Sequence, residues 1–493
     1  MSGLSFLPDE VLKLVMQHIP LKERLTSCCL VNSKLHAAAV AATQELQLCY
    51  GTWTSAGYLN VAEQHYDQVF EWLLLHGHHL TCLHLTGFWR DWQPLQQLPC
   101  PNLLELEIDN CGELRLISTS GQLGVSQCCT KLTRLVLVGG GILDLPAGAV
   151  LDCLSDLVYL QHLQLSTSCD LYEDDYIGGL SSATLPRLTL LTFLDVTCLS
   201  VANLLQLGSL PNLQDLHLAT DSAVAVGPGS VPGLSLPVSL TKLELPSNWE
   251  GLPQSRVEAR ILPLLPTGLQ HLVIECPVEG PTQGPGSFLS GMARLQHLTE
   301  LSLKTHDGIS WPPLGPAYSA LTASSKLCSL MILESMLPRG VWEHVFPATH
   351  KLPHLTSLHV NRCSGFGTPI LPSAWGAADL SSLVGSCPKL LAIYHMSLQH
   401  GTHVSELHKL TALYHLNIYY GLGSIPEFAG SLKGVATLTR LRHVALSLDS
   451  QELTVACVLP LTNLTALTSF ECSPRLGSGW RLHYKSSTVS TCC

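Results

Sequence analysis

The chain of 493 residues carries 19 cysteines and 23 histidines, side chains that hold metals, attack carbonyls or move protons when spacing brings them together. Local spacing does not do so here. No C-x-x-C pair occurs, so the paired-thiolate signature of a structural zinc site is missing. There is also no G-x-S-x-G elbow, no G-x-x-x-x-G-K-[ST] phosphate loop and no H-E-x-x-H helix. The expectation is a non-catalytic chain without a resident metal or cofactor. Cys28, Cys29, Cys153 and Cys472 stand where a small apolar residue would serve, and reduced structural thiols are expected. Seven histidines, His84, His162, His217, His271, His359, His415 and His443, recur at the third or fifth place of a short leucine phrase. They fall on different strands, mostly non-adjacent ones, and read as polar surface rather than as ligands or pH sensors. His76, His78 and His79 read as a solvated loop.

That phrase, L-x-x-L-x-L, is what must position any site. It begins at residues 80, 103, 132, 160, 191, 213, 240, 269, 298, 327, 355, 390, 413, 441 and 467. A period near 28 residues with leucines at places one, four and six resembles the leucine-rich repeat. One such unit cannot bury its three apolar side chains alone. Stacking the next unit supplies the missing wall, so the resemblance implies an α/β solenoid with a curved parallel sheet on its concave face. About fifteen irregular repeats over residues 80–472 are expected. Cys111, Cys363 and Asn248 fall at the ninth place, where the repeat commonly carries Cys or Asn. Pro- and Gly-rich stretches from Gly227, Pro277 and Trp311, and the acidic DLYEDDY from Asp170, are expected as irregular surface excursions.

Side chains at places three, five and seven are left facing outward, and they carry two chemical themes. The histidines are one. The other is acidic: Glu105, Glu107, Asp109, Asp195, Asp215, Glu244, Glu275 and Glu300. With 26 basic and 37 acidic residues the formal charge is −11, so a basic protein segment is expected as partner rather than nucleic acid. Binding energy concentrates on aromatics and arginines, which points to Arg134, Phe193, Trp249, Tyr419 and Tyr420 beside Glu105, Glu107, Asp109, Asp215 and Glu244. Only 13% of residues are charged and 46% are hydrophobic, as expected when most of each repeat lines a core. No apolar run is long enough to cross a bilayer.

Residues 5–44 do not follow the phrase and read as three short helices. Val11, Leu12, Val15 and Ile19 share one face of the first, Pro20 stops it, Leu21, Leu25, Cys28 and Cys29 line the second, and Leu35, Ala38, Ala39 and Ala42 line the third. LPDEVLKLVMQHIPLKERLTSCCLVNSKLHAAA resembles the F-box, the module that docks substrate receptors onto the Skp-type adaptor of cullin-RING ubiquitin ligases. The matching residues are Leu7, Pro8, Asp9, Glu10, Val11, Leu12, Ile19, Leu25, Leu30, Val31 and Asn32. F-boxes commonly carry Trp in the third helix, where this chain has Leu35. The resemblance implies an adaptor-binding set of Leu7, Pro8, Val11, Leu12, Ile19, Leu25, Val31 and Leu35.

Residues 45–79 are expected as a helical linker and cap, with a helix inside Val61–Gly77, and residues 473–493 as a frayed tail. With no h-region at the start, the chain is expected in the cytoplasm or nucleus. The combination resembles the F-box/leucine-rich-repeat receptors. It implies a non-catalytic substrate-recognition subunit of an SCF-type ligase, with a Skp-type adaptor, a cullin-RING ligase and a protein target as partners, and neither nucleic acid nor membrane. The alternatives are an interaction scaffold independent of ubiquitin, or a small-molecule-gated receptor of the auxin-receptor type.

Overall fold

The computed structural model describes residues 7–19, 33–50, 59–61, 66–87, 100–109, 128–138, 154–166, 184–196, 205–218, 235–245, 264–276, 291–305, 315–333, 340–361, 375–398, 406–420, 432–448, 459–474, 480–485 and 488–492, with single positions 23, 289 and 337. They belong to two compact units, Met1–Leu240 and Thr241–Cys493.

The first unit opens on two helices, α1 (Asp9–Gln17) and α2 (Ser33–Ala41). Pro8 precedes α1, and Asp9 and Glu10 fill its first turn, where negative charge meets the positive end of the helix dipole. Leu12, Met16, Leu35, Ala38, Ala39 and Ala42 form one small core, with Leu7 and Ile19 packed against it. Lys34 ties the two helices outside that core. Its Nζ donates to the Leu7 carbonyl at 2.8 Å and lies 3.3 Å from the Asp9 carboxylate. The expected second helix, with Leu25, Cys28, Cys29 and Val31, lies outside the described residues.

The chain leaves α2 through Thr43 straight into strand β1 (Glu45–Tyr50). Thr43 is fully buried, and its hydroxyl donates to the Ala39 carbonyl at 2.9 Å. It holds the first place of a phrase whose fourth and sixth places are Leu46 and Leu48, both buried. A search for leucine at place one misses this repeat because the hydroxyl, satisfied by the helix end, lets threonine take a core position. The expected helical linker is therefore corrected. Strands β1 and β2 (Leu59–Val61) come first, and the helix, α3 (Tyr66–His76), follows.

From there each phrase contributes one strand: β3 (Cys82–Thr86), β4 (Glu105–Asp109), β5 (Arg134–Val138), β6 (His162–Ser166), β7 (Phe193–Val196) and β8 (Asp215–Leu218). The spatial order is β2-β1-β3-β4-β5-β6-β7-β8, all parallel. In the second unit β9 (Lys242–Leu245), β10 (His271–Cys276), β11 (Glu300–Thr305), β12 (Ser329–Leu333), β13 (Ser357–Asn361), β14 (Ala392–Leu398), β15 (His415–Tyr420), β16 (His443–Leu448) and β17 (Ser469–Pro474) repeat the pattern in sequence order, again parallel. The C-terminal segment is not a loose tail. β18 (Trp480–Lys485) and β19 (Thr488–Cys492) continue the sheet in antiparallel pairing.

Two features recur within each unit. Leucines at places one, four and six are sealed from solvent, as Leu191, Leu194, Leu269 and Leu272 show at 0% exposure, and each contributes roughly 1.5–3 kcal/mol by leaving water. At place two, the carbonyl of one repeat accepts two N–H groups from the next; Gln161 accepts from Thr192 at 2.8 Å and Phe193 at 3.1 Å. Where place two is threonine, its hydroxyl donates to the same carbonyl of the preceding repeat. Thr81, Thr133, Thr192, Thr299, Thr356 and Thr468 all make this bond, at 3.0–3.2 Å.

In the second unit helical turns back the sheet. α4 (Trp342–Val345) and α5 (Ala377–Ser386) are joined through buried Asp379, which accepts N–H bonds from Gly376 at 2.9 Å and Glu343 at 3.2 Å. Trp342 stacks on Trp375 with ring centroids 4.2 Å apart, and Phe346 flanks both. β14 departs from regularity. The sixth place of the phrase from Leu390 falls on His395, a polar residue, and a register shift between Ile393 and Met396 inserts one residue. Met396 then takes the buried place and His395 adopts a positive φ of 56°, as a β-bulge allows.

The two stabilising features differ in weight. Leu194→Ala should cost about 2–5 kcal/mol through lost transfer energy and a cavity. Thr192→Val, which deletes one exposed hydroxyl donor to a carbonyl holding two other bonds, should cost less than about 1 kcal/mol. Urea-unfolding midpoints of the two variants check the order.

Candidate functional site

Strand register converts the outward places into rows. In the first unit one row runs Glu45, Cys82, Glu105, Arg134, His162, Phe193, Asp215, and the next runs Gln47, His84, Glu107, Val136, Gln164, Asp195, His217. Neighbours in a row sit about 4.8 Å apart across the sheet, so their side chains must interact. Arg134 lies 3.6 Å from the Glu107 carboxylate, which also lies 4.0 Å from the His84 imidazole. His217 Nε2 lies 2.8 Å from Asp215. In the second unit Lys242 meets Glu244 at 3.1 Å, and His271 Nδ1 meets Glu300 at 3.0 Å.

These contacts revise the acidic theme. Glu107 and Glu244 face the cations Arg134 and Lys242, and Asp215 and Glu300 face imidazoles, so these four carboxylates already have partners on their own sheet. Glu105 is exposed and Asp109 half-buried. The aromatic candidate Phe193 is half-buried between two imidazoles. It stacks on His162 at a centroid distance of 3.9 Å with rings 3° from parallel, and His217 lies tilted on its other side at 5.3 Å. Tyr419 shares a register position with Ser397 and Ser447, and Tyr420 one with Leu398 and Leu448. Trp249 lies outside the described residues, as do Cys28, Cys29, Cys111, Cys153, Asn248, Cys363 and the excursions from Asp170, Gly227, Pro277 and Trp311.

The histidines come together more than the spacing suggested. His162 on β6 and His217 on β8 flank the Phe193 ring of the strand between them, and His359, His395, His415 and His443 sit on four successive strands, β13 to β16. His359 approaches Tyr394 at 5.4 Å and His395 at 5.2 Å, Tyr394 lies 4.3 Å from His415, and His415 lies 5.7 Å from His443. The bulge at His395 was the missing signal, because it sets two aromatic residues against a single place on β15.

Burial, then the nearby Arg134, pulls the His162 imidazole down to about 4. Its Nε2 is closed from water and has no hydrogen-bond partner among the described residues. Burial also lowers His359, His395 and His415, with neighbouring imidazoles adding to the effect at His359 and His415. These rings are therefore neutral near pH 7, flat and amphipathic. Burial lowers His76 and His79, with His36 and His78 adding to it at His76, and His78 and His76 at His79, and His76 packs on Trp72 at 5.3 Å. They close a helix end rather than occupy a solvated loop.

The residues expected to meet an adaptor divide by burial. Leu12 and Leu35 are core, at 0% and 2% exposure, and hold the helices together rather than offering a surface. Leu7 and Ile19 are half-buried against that core, while Pro8 and Val11 are exposed. Leu14, at 59% exposure, was not singled out from the sequence because it lies off the apolar stripe. Leu25 and Val31 lie outside the described residues.

No protein-family model matches the chain, and no curated protein does. Among solved structures, an internalin from Listeria monocytogenes aligns at 16% identity over 80% of this chain and 88% of its own, with a TM-score of 0.42. The leucine-rich repeat-containing protein LegL7 from Legionella pneumophila aligns at 13% identity over 77% of this chain and 96% of its own, with a TM-score of 0.27. Both scores are too low to carry an argument, and the leucine-rich-repeat fold rests on the phrases and ladders themselves. Among the described residues no helix is long and apolar enough to cross a membrane.

The depressed imidazoles give stability a pH dependence of defined sign. The unfolded chain takes up protons near 6.5, whereas folded His162 resists protonation until about 4. Its stabilising share is full above about 6.5 and is lost as pH falls toward 4. Thermal melting should therefore drop between pH 7.5 and pH 5, and His162→Gln should show a shallower drop than the wild type.

Proposed function

We propose that this protein is a non-catalytic substrate-recognition subunit of an SCF-type ubiquitin ligase, with residues 5–44 acting as an F-box and the outward face of the ladders selecting a protein target. The observation that carries the reading is the F-box resemblance of Leu7 to Ala39. Two features support it. α1 and α2 pack through Leu12, Met16, Leu35, Ala38, Ala39 and Ala42, and they leave Pro8, Val11 and Leu14 exposed. The passage from α2 through buried Thr43 into β1 leaves no flexible hinge at that point. A receptor needs such stiffness to present its target at a fixed distance from the ubiquitin carrier.

The target would lie across the rows of outward side chains. Phe193 with its flanking imidazoles and the His359–Tyr394–His415 group offer flat apolar area with polar edges, the chemistry that dominates interface energetics. Glu105, Asp109 and Arg134 would fix register around them. The ladders by themselves equally suit an interaction scaffold that has no part in ubiquitin transfer, and adaptor binding separates the two readings.

Purified full-length protein is incubated with a Skp-type adaptor and its recovery compared with that of Val11→Asp/Leu14→Asp, whose sites are exposed and tolerate charge without unfolding the core. The expected result is adaptor capture by the wild type and at least about a tenfold loss in the variant, equivalent to about 1.4 kcal/mol. No capture by the wild type, or equal capture by both, contradicts the F-box reading.

A further inference from the structure

The neighbouring strands β3 and β4 bring together a side-chain set that no local motif announces. Cys82 and His84 stand two apart on β3 and so share its outward face. Glu105 on β4 is the register partner of Cys82. One ligand atom from each of Cys82, His84 and Glu105 lies within 4.8 Å of the other two, and Cys82 Sγ lies 3.1 Å from His84 Nε2. We propose that Cys82, His84 and Glu105 form a binding site for a divalent cation of borderline softness, of the zinc type.

Zinc takes sulfur at about 2.3 Å and imidazole nitrogen at about 2.0 Å, which puts those two ligands about 3.5 Å apart at the tetrahedral angle. An opening of roughly half an ångström from the present contact suffices. Thiolate, imidazole and carboxylate together match this class of ion rather than calcium or magnesium, which take oxygen ligands only. With three protein ligands, the fourth position stays open to water on the outward face.

The surroundings favour a cation. Glu45 on β1 is the register partner of Cys82 on the side opposite Glu105, and Glu107 lies 4.0 Å from His84. Arg134 is the opposing charge, and it is drawn to Glu107 at 3.6 Å, which leaves Glu45 and Glu105 flanking the thiol. Burial first, and then Glu105, Glu45 and Glu107, push the Cys82 thiol up to about 12 against the lesser pull of Arg134. The thiol is therefore protonated at neutral pH. A bound ion must displace that proton: the sulfur–metal bond forms, the sulfur–hydrogen bond breaks, and the proton passes to solvent. Affinity should rise about tenfold per pH unit while the free thiol stays protonated.

The test uses full-length protein stripped with a chelator and titrated with Co2+ alone, read by its sulfur-to-metal charge-transfer absorbance. One equivalent should bind with release of one proton. Cys82→Ser, His84→Gln and Glu105→Gln should each weaken that equivalent at least about tenfold, whereas Cys328→Ser, which removes an exposed thiol of the second unit, should leave it unchanged. Circular dichroism melting checks the fold of each variant, and the exposed Glu105→Gln serves if Cys82→Ser unfolds. Wild-type affinity in Glu105→Gln or His84→Gln, or loss of the same equivalent in Cys328→Ser, overturns the site. So does absence of binding by the wild type.

Discussion

The carbonyl at the second place of each repeat decides where everything else goes. Within each unit it receives two N–H groups from the next repeat, and often a threonine hydroxyl as well, as at Gln161, Leu104 and Gln270. That bond set locks one strand against the next without slippage. The leucines supply the energy, since each exchanges water for a packed interior. They do not by themselves fix the axial position of a strand, because a slip of two residues would still point leucines inward. Hydrogen bonding at place two removes that freedom, so burial and register are set by different residues of the same short phrase.

A fixed register has a chemical consequence on the opposite face. Side chains that are 20 to 30 residues apart in sequence become lateral neighbours, and many find each other. Arg134 reaches Glu107, His271 reaches Glu300, and His162 stacks on Phe193. Imidazoles lying flat in a partly dry row lose their proton affinity, which turns potential cations into neutral aromatic plates. The face is consequently more aromatic than composition alone implies. A partner would meet stacked rings bordered by charges already half-satisfied, which favours shape matching over long-range attraction.

Much of this was legible in the sequence. The phrases mark all fifteen strands from β3 to β17, and the apolar spacing anticipates α1 and α2; of the expected first-helix face Leu12 is core and Ile19 packs against it, whereas Val11 is exposed and Met16 takes the second core place. Failures arose where one residue substituted for the expected type. Thr43 in place of leucine hid the first repeat, because its hydroxyl is satisfied by the end of α2. His395 at an apolar place hid a bulge and with it the grouping of imidazoles on β13 to β16. Alternation in WRLHYK and TVSTC was outweighed by their position near the chain end, so the final antiparallel pair was read as a tail. Pairing across strands, such as Cys82 with Glu105 or Arg134 with Glu107, cannot be read from one strand at all; it needs the register.

The claim most open to direct test is that each phrase is a hydrogen-bonded rung held in one register. Hydrogen–deuterium exchange on the full-length protein addresses it without any substitution. Amides at places two and three of the inner repeats, from Thr133 to Phe193 and from Thr299 to His443, should exchange slowest, in short protected windows that recur at the phrase spacing. Exchange that is equally fast at those amides and in the segments between them would contradict the account.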